Sequence, residues 1–189
     1  MSVNESVELA RESTWSKPGS LDEYITGLCL NRTIGEVNRL RETATNARAF
    51  FGASLVWNSI WGADGKFNPD INSIKQIIER IDGTVPDKTK RDGYANLIGD
   101  AIEDVFDYES VDQMVIYPDD ITIIALAKVI IKVSTMDCGN NYQKKKDRQT
   151  AIDIILKRTG GKRSEPVKEV ASIEYVEPDW MALPKGEQL

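Results

Sequence analysis

Four carboxylates, Asp100, Glu103, Asp104 and Asp107, make pairs three and four residues apart in the segment GDAIEDVFDY. On a helix that spacing lines acidic groups along one face, and two such pairs on facing helices could hold Mg²⁺ against the phosphates of a nucleotide. No second E-x-x-E or E-x-x-D pair is expected on a helix placed to complete the site. A solvated acidic face is therefore the expected role, and Asp100, Glu103 and Asp104 are metal candidates in a secondary reading alone. No metal or cofactor is expected.

The chain has no histidine. Triad hydrolases need an imidazole base, and most zinc sites need imidazole or several thiolates, so both classes fall away. Cys29 and Cys138 are distant in sequence and read as buried free thiols. Asp64-Gly65-Lys66-Phe67-Asn68-Pro69-Asp70 has the outline of a calcium loop, but Lys66 takes a ligand position and the glycine is misplaced. Gly160-Gly161-Lys162 follows no strand and is no phosphate loop.

Lys144, Lys145, Lys146 and Arg148, beside Tyr142, form the densest basic run. Such a run is first the wet end of a helix. As a binding feature it would suit nucleic acid or an acidic protein surface, and the net charge of −6 weighs against a general nucleic-acid binder. The chain supplies such an acidic surface itself. Residues 100–120 hold Asp100, Glu103, Asp104, Asp107, Glu109, Asp112, Asp119 and Asp120 without a Lys or Arg, and the apolar ITIIALAKVIIKV (121–133) separates them from the basic run. Opposite charge on either side of a buried helix suits docking against copies or partners.

The elements that position these groups follow from apolar periodicity. Ser20 with Glu23 opens a helix over 21–30, and Thr33 with Glu36 opens a longer one reaching Trp61. In the latter Ile34, Val37, Leu40, Ala44, Ala47, Phe51 and Leu55 face inward, and Phe50, Phe51, Trp57 and Trp61 read as core aromatics. Ile71, Ile74, Ile77, Ile78 and Ile81 stripe a short helix stopped by Asp82-Gly83. Tyr94 to Phe106 carries the next stripe, opposite the acidic face. Residues 121–133 favour a core helix over a strand on length and on their helical neighbours. A last helix spans about 145–158, with Ala151, Ile152, Ile155 and Leu156 inward.

The ends read differently. Residues 1–19 are polar and form an N-terminal arm, while 162–189 form an extended C-terminal tail containing the weakly alternating VASIEYV. In that tail Trp180, Met181 and Leu183 sit between Pro178 and Pro184, and apolar anchors of this kind insert into a partner's groove. No segment reaches the roughly 20 apolar residues of a membrane span. The N-terminus lacks the basic start and apolar run of a signal peptide, so a cytoplasmic or virion location is expected.

From Lys90 to Arg158 the segments KRDGYANLIGDAIEDVF, DDITIIALAKVIIKV and KKDRQTAIDIILKR resemble phage-borne all-α proteins related to the MazG-type nucleotide pyrophosphohydrolases. The shared pattern is an apolar helix followed by a K-x-D-(polar)-x-x-D-I helix, with Asp147 and Asp153 at the matching acidic positions. It spans about a third of the chain and does not include paired glutamates. The resemblance implies Mg²⁺-dependent hydrolysis of a nucleotide.

The expectation is an all-α protein, a helical bundle of five to six helices over 20–161 flanked by the two arms. Its expected role is non-enzymatic: an assembly or adaptor protein that docks to protein partners or forms a homo-oligomer, most concretely a tailed-phage virion component such as a head-to-tail connector. The alternatives are the Mg²⁺-dependent pyrophosphohydrolase and a nucleic-acid-binding accessory protein.

Overall fold

The computed structural model describes residues 20–62, 65–82 and 96–161. These residues are all-helical: α1 Leu21–Asn31, α2 Ile34–Thr43, α3 Ala47–Ile60, α4 Ile71–Asp82, α5 Leu97–Tyr108, α6 Thr122–Thr135 and α7 Tyr142–Arg158. A short 3₁₀ turn covers Val111–Gln113. The count among them is seven, against an expected five to six.

The extra helix arises because the expected long helix from Thr33 to Trp61 is broken at its middle. Ala44 turns extended, with ψ 127°, and Asn46 Oδ1 then accepts the Ala49 N–H at 2.8 Å, starting a new helix. An asparagine N-cap satisfies a donor that an uninterrupted helix would not expose, which makes the restart locally stable. The three-residue break also resets the phase of the apolar stripe. Ala49, Ala53, Val56, Trp57 and Ile60 face the core of α3, whereas Phe51 and Phe50, expected in the core, stand outside it.

The caps at the other starts are local and legible. Thr33 and Glu36 form a reciprocal capping box, and Ser20 Oγ accepts the Glu23 N–H at 3.0 Å. The last helix begins at Tyr142, earlier than expected, because Asn141 caps it through the Lys144 N–H. Its buried side chains are Ala151, Ile154, Ile155 and Arg158; Ile152 and Leu156 are half-buried.

Helix α6 is the axis of the packing. Twelve of its fourteen residues are buried, so it is covered on nearly every side despite its β-branched composition. Helices α5 and α7 make its most extensive contacts, with α1, α2 and α4 also touching it. Burial on this scale outweighs the weak helix propensity of Ile, Val and Thr, which differ from alanine by only about 0.7 kcal/mol per residue or less. The hydroxyls of its last turn are satisfied within the helix: Ser134 and Thr135 donate to the Ile131 carbonyl.

Trp57, Trp61 and Phe67 pack ring to ring at 5.6 Å steps and close the turn after α3, where a single bridge pairs Trp61 with Phe67. Arg41 lies over Trp57 at one end of this row and Lys132 over Phe67 at the other. No helix among the described residues is long and apolar enough to cross a membrane.

Candidate functional site

The two lysines that interrupt the apolar segment are four residues apart, so they share one face of α6. That face meets the 109–120 loop. Lys128 is 1% exposed. Its Nζ lies 2.7 Å from Glu109 Oε1 and 3.1 Å from Asp120 Oδ1, and it donates to the Val115 carbonyl at 3.1 Å, with the Tyr117 ring 5.3 Å away. Burial opposes its charge, but the Glu109 hydrogen bond and the Asp120 and Glu109 charges outweigh it and hold the ammonium above its ordinary range. Lys132 donates to the Met114 carbonyl at 2.9 Å. Burial, and then the Lys128 charge one turn away, lower it.

The loop held by these lysines is also stitched to α2. The Ile34 and Gly35 N–H groups, orphan donors of the first turn, donate to the Asp120 and Pro118 carbonyls at 2.9 Å each. Thr122 returns two bonds to the Arg32 carbonyl through its N–H and hydroxyl. A Cβ at Gly35 would stand 2.9 Å from the Pro118 oxygen, so glycine is what permits the approach. Glu109 and Asp120, two members of the acidic block, thus act as internal fasteners.

A second buried charge ties three helix ends together. Asp82, the last residue of α4, accepts the Leu97 N–H at 2.9 Å and the Ile98 N–H at 3.1 Å, capping α5 from outside its own sequence neighbourhood. Arg158, at the end of α7, approaches the same carboxylate at 3.6 Å. Burial pushes the Asp82 carboxyl up to about 6, against the pull of Arg158 and the two N–H donors. Cys29 lies near enough that its thiol, raised chiefly by burial, is raised further by the Asp82 charge.

Asn96 Nδ2 donates to the Arg158 carbonyl where α5 meets α7. A Cβ at Gly99 would stand 2.5 Å from that carbonyl oxygen, which is backbone and cannot swing away. Gly99→Ala should therefore destabilise the protein by about 1 to 3 kcal/mol despite alanine's better helix propensity. Urea unfolding would check this; a stabilised variant would show that the two helix ends are further apart.

The candidate residues of the acidic face separate. Asp100, Glu103 and Asp104 lie half-buried along α5 and Asp107 is exposed. No group of three or more His, Cys, Asp or Glu side chains among the described residues is arranged to hold a metal ion. Asp147 and Asp153 accept from Gln143 and Gln149 on their own helix at 2.8 and 3.0 Å. The basic run divides as well. Arg148 turns inward, its Nε donating to the Ser134 carbonyl at 3.1 Å, while Lys144, Lys145 and Lys146 are exposed. Trp180, Met181 and Leu183, the strand-like VASIEYV and Tyr94 lie outside the described residues.

Two open clefts adjoin α7. One, of about 480 Å³, runs between α4 and α7 over Ile78 and Ile154, with Lys75, Glu79, Asp153 and Lys157 at its walls. The other, of about 450 Å³, lies under the start of α7 between Cys138, Lys145, Arg148 and Ile152. Lys75 pairs with Glu79 across one turn, so the first cleft carries charge of both signs. Both cysteines are buried free thiols, as expected.

The surface feature that periodicity missed is aromatic. Phe50 and Phe51 are 45% and 61% exposed, with ring centroids 5.6 Å apart. Beside them Leu21 and the Tyr24 ring lie over Gly52, where a Cβ would meet that ring at 2.7 Å. Adjacent phenylalanines cannot both share one helical stripe, which was the available signal. Compared with the models of known families, with curated proteins and with solved structures, the chain gives no match, the MazG-type family included.

Proposed function

We propose that this chain is a non-enzymatic assembly protein that docks to copies of itself or to a protein partner, in its most concrete form a head-to-tail connector or adaptor of a tailed-phage virion. The observation that carries the docking role is the exposed Phe50–Phe51 pair with Leu21 beside it, apolar surface that a second molecule could cover. The buried ionisable groups with raised pKa support the same reading. Asp82, Asp120 and Lys128 join helix ends and loops to the core, a structural use of charge. The virion role draws on the sequence plan of an all-α domain between two arms.

Phe50→Ser combined with Phe51→Ser tests the docking role. Neither ring is buried, so the fold should persist with unfolding free energy changed by less than about 1 kcal/mol, while association with copies or partners should weaken strongly. Mass in solution, measured alone and with phage head and tail proteins, reads the outcome. Unchanged association in the double variant would reject this surface, and Mg²⁺-dependent release of pyrophosphate from a nucleoside triphosphate would replace the structural reading with a catalytic one.

A further inference from the structure

Among the described residues nothing covers the start of α7: every residue from Gly139 to Lys146 is exposed. Lys144, Lys145 and Lys146 stand on this exposed turn without an ion pair to any described carboxylate, and Tyr142 beside them is 80% exposed. Both choices cost local stability. A helix start gains nothing from its own propensity without packing, and lysines crowd one another where the helix dipole favours acidic groups. The first turn of α7 contains no Asp or Glu to offset them. Charge kept at a place where it weakens the fold is most simply explained by a contact outside it.

We infer that this exposed face of α7 docks on the acidic outer face of α5 in a second copy of the chain, a head-to-tail contact that repeats from copy to copy. The inference rests on the docking role proposed above and adds to the Phe50–Phe51 surface a second one, with another copy of the chain as its partner. Charge complementarity selects the occupant. The α5 face offers Asp104 and Asp107, and Tyr108 next to them is 87% exposed, so each surface pairs like charges with a wet tyrosine. Tyrosine is enriched in such interfaces because its ring covers area while its hydroxyl stays hydrogen-bonded. Nucleic acid is the poorer occupant, since the whole chain carries −6 and repels it at long range. Two different patches in contact make a heterologous interface, which closes into a ring or grows as a filament.

The test is charge reversal with rescue. Wild-type protein should sediment as an oligomer in roughly 0.01 M salt and as a smaller species in roughly 1 M salt, where the screening length falls to about 3 Å. Lys144→Glu/Lys145→Glu/Lys146→Glu and Asp104→Lys/Asp107→Lys should each be monomeric at low salt, association weakened at least about a hundredfold. Mixed together they should associate again, because each retains the surface that the other's reversed face now matches. Lys144→Gln/Lys145→Gln/Lys146→Gln, which neutralises without reversing, should fall between wild type and the reversed variant. Far-UV circular dichroism should be unchanged throughout. A wild type monomeric at low salt overturns this contact while leaving the Phe50–Phe51 test of the docking role standing. Oligomers indifferent to either reversal, a mixture that stays monomeric, or lysine variants that lose only affinity for a short DNA duplex also overturn it.

Discussion

Lys128→Met is expected to lower the unfolding free energy by about 3 to 5 kcal/mol, the cost of removing one partner from a buried charge cluster. The methionine would fill most of the volume in an apolar helix, so the loss would not come from a cavity. It would come from Asp120 and Glu109 losing their counter-charge and from the Val115 carbonyl losing its donor. The effect should reach beyond α6, because the loop held by Lys128 also satisfies the first donors of α2. Its pH dependence has a definite sign. The folded Lys128 holds its proton above the unfolded value of 10.5, so its contribution is fully present below that pH and fades as pH rises beyond it. Urea unfolding from neutral to alkaline pH should show a constant deficit for the variant until wild type itself weakens above about pH 10.5. A variant as stable as wild type would mean that the lysine is dispensable and the loop is held by its backbone bonds alone.

Asp82→Ala should cost a similar amount, about 3 to 5 kcal/mol, since it uncaps α5 and leaves Arg158 buried without its carboxylate. Asp82→Asn keeps the shape and one acceptor and should cost less. The sign of the pH effect is opposite to that of most paired carboxylates. The folded carboxyl titrates at about 6, above its ordinary 3.8, so between those values the folded state binds more protons than the unfolded state. Stability contributed by this group is full below about pH 4 and is lost as pH rises through 6, by an amount on the order of 3 kcal/mol. The advantage of wild type over Asp82→Asn should therefore be largest at and below about pH 4 and smallest at neutral pH. An advantage that grows with pH would mean that Arg158 and the two N–H donors dominate burial and that the carboxyl titrates below its ordinary value.

Much of the fold was legible because it is encoded locally. The capping box at Thr33 and Glu36, the isoleucine stripe of α4 and the apolar run of α6 each depend on neighbours within a turn or two. The break at Ala44 was encoded locally too, by Asn46, but it competed with an apolar stripe that continued across it. Shifting the phase at that break is what carried Phe50 and Phe51 to the surface. The candidate site was less legible. Lys144, Lys145 and Lys146 are exposed as a basic helix end should be, yet that the whole stretch from Gly139 to Lys146 is left uncovered among the described residues is a property of how α6 and α7 pack.

The sequence by itself determined an all-α protein without imidazole chemistry, with segregated charge and buried thiols, because helix periodicity, capping and residue type act over a few residues. Tertiary structure alone decided what the charges are for. Asp82 looks like an ordinary helix stop until Leu97 and Ile98 arrive, 15 and 16 residues later, to use its carboxylate. Lys128 looks like an interruption in an apolar helix until Glu109 and Asp120 close over it. A charge's partner is set by folding of the whole chain, and Coulomb's law at short range depends on that distance and burial rather than on position in the sequence.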